Sequence, residues 1–130
     1  MKRLTAAIVI LGSCWFNAAT TLKGTWIFQG GIYNGKKEGA PAGYTLQRRY
    51  QAGKFDAYLV EKGEKTQRYQ SGNYELKNDT CFETETYSAQ PSKLTGITLH
   101  YHYIIRRDSL ILQGVLPTGM SVEEYWKKVK

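Results

Sequence analysis

The sequence predicts an all-β domain, an antiparallel up-and-down barrel of about eight strands. Three observations predict it. From residue 22 onward, apolar and polar residues alternate with the period of a half-buried strand, and no helical period persists. Segments rich in Tyr, Thr, Ile and Val recur about every ten residues, the spacing of a sandwich or barrel. Short turn signals separate them, so consecutive strands are expected to pair as neighbours. Closing such a sheet leaves no exposed strand edge, and eight strands enclose room for side chains or one small ligand.

The 130 residues suffice for one domain, and 42% apolar residues are enough for a core. The chain opens on a separate unit. Lys2-Arg3 precedes the apolar stretch 4–12 (LTAAIVILG), the pattern of a secretory signal rather than of a first strand. No apolar run reaches the roughly 18 residues of a membrane span. Leu11-Gly12-Ser13-Cys14 resembles the bacterial lipobox, which implies cleavage before Cys14 and its acylation. Ordinary cleavage near Asn17-Ala18-Ala19 is the alternative. The expected division is residues 1–13 as signal peptide, 14–21 as tether and 22–130 as the domain. Acyl chains would anchor the domain to a bilayer at about 0.8 kcal/mol per buried methylene. The expected address is the bacterial cell envelope, as a periplasm-facing lipoprotein, or else soluble secretion. Loss of Lys2 and Arg3 leaves 16 of the 18 basic residues against 11 acidic ones, so the net charge falls from +7 to +5. An acylated Cys14 leaves Cys81 alone, either buried or reactive; otherwise a Cys14–Cys81 disulfide becomes available.

The strands follow in order. Residues 22–34 open the sheet, with Gly30-Gly31 as a bend or bulge. Residues 35–43 (GKKEGAPAG) read as a loop. In 44–50, Tyr44, Leu46 and Tyr50 share a face, and Ala52-Gly53 turns the chain into 54–61. There Phe55, Ala57 and Leu59 oppose Asp56, Tyr58 and Val60. Residues 65–77 and 80–88 form a hairpin about Asn78-Asp79, which tolerate positive φ. Residues 89–96 form a second loop. Residues 97–106 (ITLHYHYIIR) are the strongest strand by composition, and Arg107-Asp108 turns it into 109–115. Pro117 to Gly119 turn the chain into the final strand, 120–129.

The two ends carry a resemblance. Leu22-Lys23-Gly24-Thr25-Trp26 resembles the Gly-x-Trp opening of the lipocalin and calycin barrels. Gly72-Asn73-Tyr74, the stretch Tyr103–Leu110 and Tyr125-Trp126-Lys127 resemble motifs of small lipocalin-like proteins of unknown function exported by anaerobic Gram-negative bacteria. The resemblance covers about residues 22–130. It implies that Gly24 and Trp26 close one barrel end, and that a terminal cation packs over the indole. Lys127, or else its neighbour Lys128, is the candidate. Such a contact is worth about 0.5–2 kcal/mol. The Thr-Asp-Tyr motif common among lipocalins is absent, which points away from retinoid-type transport.

No catalytic constellation is present, and no enzymatic activity or cofactor is expected. His100 and His102 share one strand face and supply at most half a metal site, so no metal is expected. Glu83 and Glu85 share a face with Cys81 and Tyr87. A glycosidase-like acid–base pair is conceivable, but solvation or pairing with a Lys across the sheet is the expected state. Lys36-Lys37, Arg48-Arg49, Arg106-Arg107 and Lys127-Lys128 are separate doublets, and the pleat sends adjacent residues to opposite faces. This dispersal argues against nucleic acid and suits an anionic envelope surface. The ten Tyr, with an apolar body and polar tip, suit an amphipathic cavity. Candidate ligand contacts are Tyr58, Glu85, Tyr87, His100, Tyr101, His102 and Tyr103. The expected function is an envelope-anchored monomer that binds a small apolar or amphipathic ligand in the barrel. The alternative is a solid barrel that acts through its loops as a protein-interaction or inhibitor module.

Overall fold

The described residues form nine strands, eight of which realise the alternation. They are β1 (Gly24–Tyr33), β2 (Lys36–Gly39), β3 (Thr45–Gln51), β4 (Lys54–Val60), β5 (Gln67–Lys77), β6 (Thr80–Ser88), β7 (Thr98–Arg106), β8 (Ser109–Val115) and β9 (Ser121–Val129). The computed structural model describes residues 21–129, so the signal segment, Cys14 and the tether up to residue 20 lie outside the described residues. Every pairing is antiparallel and follows chain order from β3 to β9, and β9 returns to β1. Eight strands therefore close the barrel. β1 carries two partners on its other edge: β3 against Gly24–Ile27 and β2 against Gly30–Tyr33.

β2 corrects the reading of 35–43 as a loop. Its four residues are polar and exposed, so no apolar alternation marks it. Asn34-Gly35, with φ of 51° and 83°, makes the two-residue turn that folds it back on β1. Three bulges then decide which side chains point inward. On β1 the register with β9 slips between Phe28 and Gly30. On β5 an extra residue, Tyr69, stands where Ala57 and Tyr58 face Gln70 and Arg68. On β6 Thr86 is extra, because Ser71 faces Tyr87 while Gly72 faces Glu85.

The barrel is filled at one end. Leu22, Trp26, Tyr50, Phe55, Cys81, Leu110 and Leu112 are fully buried there. Tyr50 meets Tyr74 edge to face at 5.0 Å, an aromatic contact worth about 0.5–1.5 kcal/mol beyond area burial. The Trp26 indole N–H donates to the Leu22 carbonyl at 2.8 Å. Lys128 Nζ lies 5.7 Å from the centre of the Trp26 ring. Lys127, the first candidate for that contact, is exposed on the outer face: it sits opposite Ile27, whereas Lys128 sits opposite Trp26 and shares its side of the pleat. Gly24, at φ 133°, allows this crossing, since a Cβ there would stand 2.7 Å from Lys128 Cε.

Candidate ligand-binding site

The other half of the barrel is hollow. A cavity of about 610 Å³ lies between Trp126, Phe28 and Phe55 below and the loops above. It is of the size that holds a small organic molecule. Its walls combine Tyr33, Leu46, Tyr69, Leu99, Tyr101 and Val122, and its mouth is framed by Glu38, Pro41, Tyr44, Leu94, Leu116 and Met120. The solid barrel considered from sequence is thus corrected: only one half is packed.

The cavity floor is a buried ionic cluster. Arg48 follows Leu46 and precedes Tyr50 on the inward face of β3, so the pleat sends its guanidinium into the barrel. Arg48 Nη1 donates to Glu83 Oε1 at 2.8 Å, to Glu83 Oε2 at 2.9 Å and to the Tyr50 hydroxyl at 2.8 Å. Tyr50 in turn donates to Glu83 Oε2 at 2.9 Å. The guanidinium stacks 4.6 Å from the Phe55 ring and 5.6 Å from that of Trp126. Burial disfavours the Arg48 charge, but Glu83 foremost, with Tyr50, Glu124 and Tyr101, together outweigh it and hold the guanidinium well above its ordinary range. Glu83 is 3% exposed, which corrects the expectation of a solvated or Lys-paired carboxylate. Its partner is an arginine from β3, across the interior rather than along the sheet.

The cluster continues upward. Arg48 Nη2 donates to Gln70 Oε1 at 3.1 Å, Gln70 Nε2 donates to Glu85 Oε2 at 2.8 Å, and Thr95 Oγ1 donates to Glu85 Oε1 at 2.7 Å. Burial pushes the Glu85 carboxyl up, but hydrogen bonds from Thr95, Ser92 and Gln70 prevail and hold it below the usual carboxylate range. On the opposite wall the Tyr33 hydroxyl donates to Glu124 Oε2 at 2.9 Å. Burial, then Glu83, drives the Tyr101 phenol far above its ordinary range, so it stays a neutral hydroxyl. Burial does the same to the Cys81 thiol, which lies 3.8 Å from Glu83 Oε2 as a protonated, structural group. One donor is unmet: the Trp126 indole N–H has no hydrogen-bond partner among the described residues.

Of the seven candidate contacts, Glu85 and Tyr101 line the cavity. Tyr103 points inward but into the filled half, where its hydroxyl donates to the Asn78 carbonyl at 3.0 Å. The other four lie outside the cavity. Tyr58 lies under Arg49 at 4.2 Å, on the pleat face opposite Ala57. Tyr87 is 40% exposed beneath Arg68 because the Thr86 bulge reverses its side. His100 and His102 alternate with Tyr101 and therefore point out. His100 packs on Phe82, and His102 lies 3.5 Å from Asp79. Among the described residues no group of three His, Cys, Asp or Glu is placed to hold a metal ion. Arg48, Tyr69, Glu124 and Trp126 are site residues that the pattern of the sequence does not single out. For Arg48 a signal exists: a cation between Leu46 and Tyr50 on a face otherwise apolar.

No protein-family model matches the chain, and no curated protein matches it. A solved structure does: a lipocalin-like protein from Bacteroides uniformis ATCC 8492 superposes with a TM-score of 0.59 at 21% identity, over 83% of this chain and 98% of that one. The fold is lipocalin-like.

Proposed function

We propose that this protein is a binding module that holds a small amphipathic molecule inside its barrel, at the bacterial cell envelope. The observation that carries the reading is the half-hollow interior: a cavity of about 610 Å³ whose floor is a fully hydrogen-bonded ionic cluster. A barrel packed for stability alone would fill that volume with side chains, as its other half is filled. The unmet Trp126 donor lies on the same wall. Anchoring through Cys14 rests on the lipobox resemblance, and mass spectrometry of the protein from its own membrane fraction tests it together with any co-purifying ligand. In vitro, the neutral dye N-phenyl-1-naphthylamine reports the cavity. Its fluorescence is expected to rise with one dye bound per chain, and Leu99→Trp, which projects an indole into the cavity, is expected to diminish the rise. An unchanged signal in that variant would place the dye elsewhere and remove the support.

A further inference from the structure

We infer that the ligand carries a positive charge, an ammonium or a similar organic cation on an apolar body. The inference deepens the binding reading above and rests on it. The chain as a whole is basic, with 18 Lys and Arg against 11 Asp and Glu. The cavity inverts that balance: among the described residues its lining holds Glu38, Glu83, Glu85 and Glu124 but a single cation, Arg48. Arg48 is already committed, since both oxygens of Glu83 lie within 2.9 Å of its Nη1. A carboxylate or phosphate ligand would therefore find the only guanidinium occupied and three further carboxylates facing it. A cation would find Glu85 and Glu124 without a salt bridge among the described residues, Arg48 acting on both only at a distance. Their present hydrogen-bond partners, Gln70, Thr95, Ser92 and Tyr33, are neutral.

The walls favour the same ligand. Phe28, Tyr69, Tyr101 and Trp126 line the same cavity as the carboxylates. Aromatic faces and carboxylates together make the environment that desolvates and holds an organic ammonium.

The test is calorimetric titration of the full-length chain with four probes sharing one decyl tail, each below its micelle concentration: decyltrimethylammonium, decylamine, decanol and decanoate. The two cations are expected to bind at least about tenfold more tightly than decanol, with decanoate weakest. Glu85→Gln and Glu124→Gln are each expected to shrink the cation-to-alcohol affinity ratio by about threefold or more. Glu124 makes no hydrogen bond within the Arg48 cluster, so Glu124→Gln tests the charge without breaking that cluster, and thermal melts of both variants check that they fold. Decanol or decanoate binding as tightly as the cations would overturn the charge inference while leaving the cavity reading intact. The charge inference also falls, and the cavity reading stands, if none of the four binds yet N-phenyl-1-naphthylamine does. Failure of all five probes would remove both.

Discussion

Arg48 and Glu83 are the residues on which the interior depends. Both are buried, with Arg48 9% and Glu83 3% exposed, so each would be a desolvated lone charge without the other. Breaking such a pair costs about 3–5 kcal/mol, whereas replacing both partners with apolar residues of similar volume is often neutral. Arg48→Met is accordingly expected to lower stability by about 3–5 kcal/mol, and Arg48→Met with Glu83→Met to recover most of it. Urea denaturation of the three proteins decides; a single variant losing under about 1 kcal/mol would mean that water reaches the pair. Glu85 gives a pH signature at the same scale. Its carboxyl sits below the usual range in the fold, so the folded state favours its ionised form. That contribution is present above the ordinary Glu value of about 4.3 and is lost as pH falls through the lower folded value. The stability gap between the protein and Glu85→Gln is therefore expected to be full at neutral pH and to close below about pH 4. A gap that widens on acidification would reverse the sign.

At the scale of elements, the glycines separate steric from conformational demands. A Cβ on Gly72 would stand 2.2 Å from the Thr84 carbonyl and 2.7 Å from Phe55 Cε1, beside the β6 bulge. Backbone cannot yield there as a flexible side chain would, so Gly72→Ala is expected to cost about 3 kcal/mol or more. Gly53, at φ +72° in the β3–β4 turn, has nothing within 4 Å of its Cβ position, and Gly53→Ala is expected to cost only the left-handed backbone penalty of about 1–2 kcal/mol. Thermal melts should rank them in that order. The strands themselves are legible in the sequence because alternation and turn residues are local signals: Asn78-Asp79 and Arg107-Asp108 stand at turns where Asn78 and Arg107 take φ of 56°. What local signals do not carry is which face is inside. A period of two fits either choice, and one bulge residue reverses it. Strict alternation therefore puts Tyr87 on the face of Glu85, and it gives no reason to single out Tyr69, itself the bulge residue of β5. The Arg48–Glu83 pair spans 35 positions of sequence, and only the closed barrel brings β3 and β6 into reach.

The whole molecule has two unlike ends. The chain enters β1 at the filled end, beside the turns Ala52-Gly53, Asn78-Asp79 and Arg107-Asp108, while the cavity mouth lies at the opposite end. The filled end is basic: Lys23, Lys54, Lys77, Arg106, Arg107 and Lys127 are exposed there against Asp79 and Asp108. The mouth exposes apolar side chains, among them Tyr44, Val115 and Met120, beside a less basic set of charges, Lys36, Lys37, Lys62, Lys65 and Lys93 against Glu38, Glu61 and Glu64. With acylation at Cys14, the anchor would draw the basic end toward anionic headgroups, where each Lys or Arg near the surface adds about 1 kcal/mol. The seven links from Cys14 to Thr21 reach at most about 25 Å. Tilted strands of this length make a barrel about 22–25 Å tall, so turning the mouth onto the same bilayer would stretch the tether completely. The acylated protein on anionic vesicles is thus expected to hold its mouth away from its own membrane, open to molecules arriving from the aqueous side. A fluorophore placed through Asp108→Cys should be quenched by headgroup-labelled lipids much more than one placed through Val115→Cys. Raising the salt should narrow the difference, because headgroup attraction is screened within about a Debye length. Stronger quenching at position 115 would instead make the mouth the membrane-facing end and a route for ligand exchange with the bilayer.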